Sequence, residues 1–309
     1  MGLAGAVGSF VVIFLLMIGI TLWLRYRGVL ARAQGASISA VITEGVLPAM
    51  IFCYVARARE QLDFLEMAAV IGAAECVALA VSALIGSALR LDRAALGGFT
   101  LTSSFGSTSL IGNALLDIVF HGSRAVLGMG MVIGQFGVGV PNNTLGLWIG
   151  MRSGGQRPGG VLNFLLTPVV IALLLGIAWS LSGITTTSSA AAPLFGALTL
   201  TGASLPFLAA MVTGLSLTNV DWRRLLPLIA ISQLIQLIGK PLFVLLLLWL
   251  LAPPRLDHEV TLLLAALPAS PLAVAFATRF GGDAELASAL VLSSTILSVL
   301  TLPLVALLA

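Results

Sequence analysis

Charge is what this chain lacks. Of its 309 residues, 9% are Asp, Glu, Lys or Arg, against about a quarter in soluble domains. An ordinary soluble globular domain is thereby excluded. Histidine and cysteine are scarce too, with two of each. His121 and His258 fall in expected loops, so neither offers a base at membrane depth to activate a serine. No HExxH sequence is present either. The chain therefore reads as a non-enzyme that needs no cofactor. Cys53 and Cys76 lie in apolar segments and read as buried small hydrophobes rather than a disulfide or metal ligands. Basic stretches interleaved with aromatics are missing, so the net charge of +3 does not point to nucleic acid.

What is present is apolar surface: 59% hydrophobic residues and a mean hydropathy of +1.12. The fold class is an all-α polytopic membrane protein embedded in a lipid bilayer. At about 20 to 25 residues per span plus short loops, roughly ten spans fit. They are drawn at 4–24, 38–56, 64–89, 96–120, 125–151, 161–181, 194–217, 225–251, 260–280 and 284–308. The first segment lacks a basic leader and is followed by Arg25 and Arg27, which suits a retained helix rather than a cleaved signal. Residues 152–160, RSGGQRPGG, form the most turn-like stretch and fall at the midpoint. The expected domains are a first five-helix repeat (1–151), a cytoplasmic linker (152–160) and a second five-helix repeat (161–309). Arginine is denser in the loops after spans one, three, five and seven than in the others. That bias places those loops in the cytoplasm and both termini outside, in the periplasm for a bacterial inner membrane.

Spans four and nine are interrupted. In the ninth, Pro268-Ala269-Ser270-Pro271 sits within apolar sequence. Each proline lacks an N–H and disfavours helix before it, so the ladder cannot run through. About 160 residues earlier, Ser107-Thr108-Ser109-Leu110-Ile111-Gly112-Asn113 interrupts span four. Leu47-Pro48 and Leu205-Pro206 repeat at nearly the same offset, and Pro48, Pro206 and Gly112 are expected helix-break positions. Five spans per half is an odd number, so two related halves would insert in opposite senses as an inverted repeat. Unwound backbone at membrane depth is tolerated where it lines a cavity. A half-helix beginning near Leu110 or Pro271 would aim its positive N-terminal end at an anion. The alternative is a pair of kinked helices without a ligand.

Polar groups within spans are the remaining signal, because each one is costly to insert. Ser107, Thr108, Ser109, Asn113, Pro268, Ser270 and Pro271 lie at the breaks and are candidate substrate contacts, joined by Gln135 and Asn142 of span five. Glu44, one turn before Pro48, is the first candidate for proton coupling, with a structural hydrogen bond as the alternative. Glu75 and Lys240 occupy corresponding spans of the two halves and could face each other as a structural or functional ion pair. Asp117 is expected at a wet rim.

These features together resemble the auxin efflux carrier family, which includes bacterial organic-acid permeases. The resemblance rests on Val46 to Phe52 (VLPAMIF), Ser103 to Leu116 (SSFGSTSLIGNALL), Gly202 to Gly214 with Pro206, Leu267 to Ser288 (LPASPLAVAFATRFGGDAELAS) and Leu302-Pro303-Leu304. It implies ten helices in two inverted repeats and crossing broken helices four and nine. It also implies elevator-like movement between spans three to five with eight to ten and a panel of spans one, two, six and seven. The implied function is secondary transport of a small organic anion, a mono- or dicarboxylate, and the alternatives for coupling are protons, no ion, or sodium. Relatives often carry Asn where this chain has Ser107 and Pro where it has Ala114, and Asn113 is the nearby amide. The bile acid sodium symporter fold is the alternative, with sodium coupling. Its ninth-helix carboxylate has no counterpart in Leu-Pro-Ala-Ser-Pro. A channel sharing the same breaks would conduct without saturation. Gly and Ala on span faces leave room for a homodimer.

Overall fold

The computed structural model describes residues 3–57, 64–112, 115–116, 119–121, 123–155, 166–188, 191–217 and 222–308, with backbone alone at 3–11, 109–110 and 124–125. Among the described residues the chain is helical and has no β-strand. The helices are α1 (Leu3–Tyr26), α2 (Gln34–Ala56), α3 (Leu65–Ala88), α4 (Arg93–Ser104), α5 (124–153), α6 (Pro168–Ser182), α7 (Ala192–Ser216), α8 (Trp222–Leu251), α9 (Arg255–Ala265), α10 (Leu272–Phe280) and α11 (Ala284–Ala306). Five of them, α2, α3, α7, α8 and α11, are long and apolar enough to cross a membrane, and Val12–Tyr26 and α6 are shorter apolar helices. Asn113, Asp117 and residues 156–160 of the expected linker lie outside the described residues, as does the Ser109 side chain.

Proline explains the irregular turns. Pro48, Pro141 and Pro241 each sit two residues after a π turn, at Ile42–Val46, Gln135–Gly139 and Leu234–Gly239. A proline within a helix has no N–H for the carbonyl four residues back, and its ring crowds that carbonyl. Widening the preceding turn by one residue relieves the crowding and lets the helix continue. Pro48 was expected to break span two, yet α2 runs through it in this way, with Leu47 N–H donating to the Ile42 carbonyl. At Pro206 the expectation is closer to the mark, because α7 loosens into a turn at Ala203–Ser204 just before it.

Two sets of helices pack within themselves. α2 packs on α6 and α7, and α7 on α1, while α3, α4 and α5 pack together and against α8, α10 and α11. The sets meet where α10 touches α2 and α7, and where α11 touches α1 and α7. The core is nearly all aliphatic, with Phe99, Phe105, Phe195 and Phe276 as its largest fully buried side chains. Leu84, Leu174, Leu200, Trp249 and Leu300 stand outward, as apolar side chains do on a lipid-facing surface.

Candidate functional site

Helices α4 and α9 both stop short, and α10 starts seven residues after α9 ends. Their loose ends find each other. Ser107 N–H donates to the Pro268 carbonyl at 2.9 Å, and Ser270 N–H donates to the Phe105 carbonyl at 2.9 Å. Gly106 and Ala269 thus face each other as an antiparallel backbone pair. Two interrupted helices each leave backbone groups without intrahelical partners, and this pairing satisfies part of both sets at once. The interruption in the first segment falls at Phe105–Ser107, slightly before the expected stretch, and a π turn follows at Thr108–Gly112.

The second break is supported from three sides. Ala269 N–H donates to Ser294 Oγ of α11 at 2.9 Å. Gln236 Nε2 of α8 donates to the Leu267 carbonyl at 2.9 Å. Asn142 Nδ2 of α5 donates to Ser270 Oγ at 3.4 Å, and the same oxygen accepts Leu272 N–H at 3.4 Å. The amides of Ala269, Ser270, Leu272 and Ala273 therefore all have protein acceptors. The two bonds to Ser270 Oγ are long and correspondingly weak. At the first break, Thr108 Oγ1 donates to the Gly134 carbonyl at 3.3 Å. The opening amides of the Thr108–Gly112 turn have no acceptor within the turn itself.

Buried polar atoms without a protein partner among the described residues include Ser107 Oγ and Gln236 Oε1 at the breaks, and both side-chain polar atoms of Asn143, the chain neighbour of Asn142. Ser107, Ser270, Asn142 and Asn143 are each at most 3% exposed. Gln135 is also buried, with its carboxamide oxygen against Gly139. Unpaired buried polar groups cost about 1–3 kcal/mol each, so those beside the two unwound segments make this the candidate site. Pro268 and Pro271 border it, and Gly112 closes the first π turn with its Cα hydrogens facing Leu264 and Leu267.

A buried ion pair supports the first break. Lys240 Nζ of α8 lies 3.0 Å from Glu75 Oε1 of α3 and donates at 3.1 Å to the Ser104 carbonyl at the end of α4. That carbonyl belongs to the last turn of α4, where the unmet carbonyls favour a cation.

The family described as membrane transport protein matches residues 161–306. An uncharacterized transporter of Methanothermobacter thermautotrophicus is 26% identical over 296 residues, covering 91% of each chain. The second half of the chain is thus similar to a family of membrane transport proteins, and nearly the whole chain to a transporter. These likenesses and the apolar helices fit a multi-pass membrane protein of the transporter kind.

Some residues lie elsewhere than expected. Glu44 is not among the break residues. Its side chain is 53% exposed and pairs with Arg279 near the end of α10, linking the two helix sets. Arg279 was not singled out, since a basic residue in a last turn is the ordinary complement to a helix dipole. Ser294 was missed as well, because a serine inside an apolar helix usually bonds its own helix. Cys53 is buried as expected, but Cys76 faces outward from α3. His258 sits half-buried in the first turn of α9 rather than in a loop, while His121 is exposed in a turn.

Proposed function

We propose that this chain is a secondary active carrier that moves a small organic anion, a mono- or dicarboxylate, across a bacterial inner membrane by alternating access. In this reading residues 1–151 and 161–309 are inverted five-helix repeats joined by a cytoplasmic linker at 152–160. They give ten spans with both termini periplasmic, and the helix set α3–α5 with α8–α11 moves elevator-fashion against α1, α2, α6 and α7. The observation that carries the reading is the meeting of the two breaks, with buried polar atoms left over beside them.

The chemistry suits a carboxylate. Asn142 Nδ2 and the Leu272 amide share one hydroxyl oxygen, each at 3.4 Å. A carboxylate oxygen in place of Ser270 Oγ would accept both through shorter, charge-assisted bonds. Leu272 opens α10, so the anion would also meet the positive end of that helix. Ser107 Oγ and the Asn143 carboxamide would complete the set, with Thr108, Ser109, Gln135 and Asn113 as neighbours in sequence or space.

Coupling to protons, or none, fits better than coupling to sodium. The ammonium of Lys240 occupies the space between the Glu75 carboxylate and the Ser104 carbonyl, where a metal cation would otherwise find its oxygen ligands. Purified protein in proteoliposomes tests the function. Saturable uptake of a labelled carboxylate is expected, lost in Asn142→Leu and independent of sodium. Equal uptake in protein-free vesicles across mono- and dicarboxylates would count against it.

A further inference from the structure

A second polar feature lies away from the breaks. A pocket of about 200 Å³ opens between α2, α7 and α5, where the two helix sets meet. Arg57, just beyond the end of α2, borders it together with Tyr54 and Thr199, and Met50, Met131 and Leu205 supply apolar wall. The loosened turn of α7 at Ala203–Ser204 forms part of its rim. Arg57 stands 5.4 Å over the ring of Phe195, which is itself packed between Phe52 and Trp179. Stacking on a ring fixes the plane of a guanidinium and leaves its edge N–H groups free to donate. No carboxylate pairs with Arg57 among the described residues.

One wall of the pocket shares a helix with a support of the paired breaks. Met131 of its wall is three residues, or roughly 4.5 Å of helix rise, before Gly134 on α5. Gly134 carries the carbonyl that Thr108 Oγ1 of the first break bonds. On its other side Met50 packs against Gly202, where an added Cβ would lie 3.4 Å from that of Met50. The opposite end of the same interface is closed by Glu44 with Arg279, and by Ser216 with Thr278 at 3.3 Å.

We propose that this pocket is an entry subsite for an apolar monocarboxylate, with Arg57 taking the carboxylate and the Met50, Met131 and Leu205 walls taking the body. The proposal rests on the carboxylate-carrier reading and narrows it. One fixed cation compensates one negative charge, and a second carboxylate would be pressed unpaired against apolar side chains, which is costly. The size suits a body on the order of a single aromatic ring, since engineered cavities of about 150 Å³ take up benzene. The subsite would therefore select monocarboxylates over dicarboxylates before either reaches the breaks.

Binding of benzoate and of succinate to the purified full-length carrier, measured by calorimetry at neutral pH, tests this. Benzoate should bind wild type at least about tenfold tighter than succinate. Arg57→Gln should weaken benzoate at least about tenfold, the scale of one charge-assisted hydrogen bond. Ala203→Trp, at an exposed rim position that tolerates bulk, should do the same by filling the pocket. Melting temperatures without ligand show that each variant is folded. If Asn142→Ala weakens both acids while Arg57→Gln and Ala203→Trp weaken neither, the subsite is overturned and the carrier reading stands. If neither acid binds wild type, both are overturned.

Discussion

Lys240 and Glu75, 165 residues apart in the chain, form an ion pair whose side chains are 0% and 1% exposed, and the lysine also holds the last carbonyl-bearing turn of α4 at Ser104. Burying two charges costs more than their attraction returns unless the geometry is tight and other bonds help. Here the added bond goes to the end of an interrupted helix. The pair therefore fixes where the first break stands relative to α3 and α8.

Removing one partner should be far worse than removing both. Lys240→Met leaves a buried carboxylate uncompensated, with an expected loss of about 3–5 kcal/mol. Combining it with Glu75→Leu should recover much of that loss. Melting temperatures in detergent for the two single variants and the double variant check it. Equal or additive losses would argue against a coupled pair.

Gly106 has little room for a side chain. An added Cβ would stand 3.2 Å from Lys240 Nζ, a tight approach, and 3.6 Å from Gln236 Nε2, an ordinary contact. Gly106→Ala should therefore press on the lysine that holds the first break, lowering stability by about 1 kcal/mol and uptake with it. Wild-type melting temperature and uptake in Gly106→Ala would show that Lys240 gives way without cost.

Ser294 supplies the acceptor for the Ala269 amide at 2.9 Å. Ser294→Ala leaves that buried N–H without a partner, at a cost of about 1–3 kcal/mol. Ser294→Val, similar in volume to threonine, should be no better than Ala, and Ser294→Thr should keep most of the wild-type melting temperature.

Glu44 and Arg279 close one end of the interface between the helix sets. Both side chains are partly exposed, so either neutral variant should change stability by less than about 1 kcal/mol. Accessibility should change more. In Glu44→Gln or Arg279→Gln, a cysteine placed at Thr278 should react faster with a charged thiol reagent from that side. Exchanging the two charges should slow the reaction again. An unchanged rate in the neutral variants would mean that the pair is surface decoration.

Much of this arrangement could be read from residues alone. Prolines at 268 and 271 dictate the second break by chemistry, and the internal repeat led from it to the first. The same register aligned Glu75 with Lys240, and they do meet. The facing of helices was harder. Helices apolar all round, such as α3, carry no stripe that says which side looks inward, so Cys76 was expected to be buried and faces out. Contacts between distant helices were invisible for a different reason. Arg279 and Ser294 each have an innocent local explanation, and only packing assigns them to Glu44 and Ala269. The π turns did leave a signal, a proline two residues beyond each of three, but a proline in a span reads first as a break.

Protection of a single cysteine at the paired breaks tests the central claim most directly. With Cys53 and Cys76 replaced by serine and Ser107 by cysteine, the rate of alkylation is measured with and without a saturating carboxylate that the wild type transports. The account predicts that the carboxylate slows alkylation strongly, and that Asn142→Ala in the same background removes the protection. Alkylation at the same rate with and without the carboxylate would contradict it.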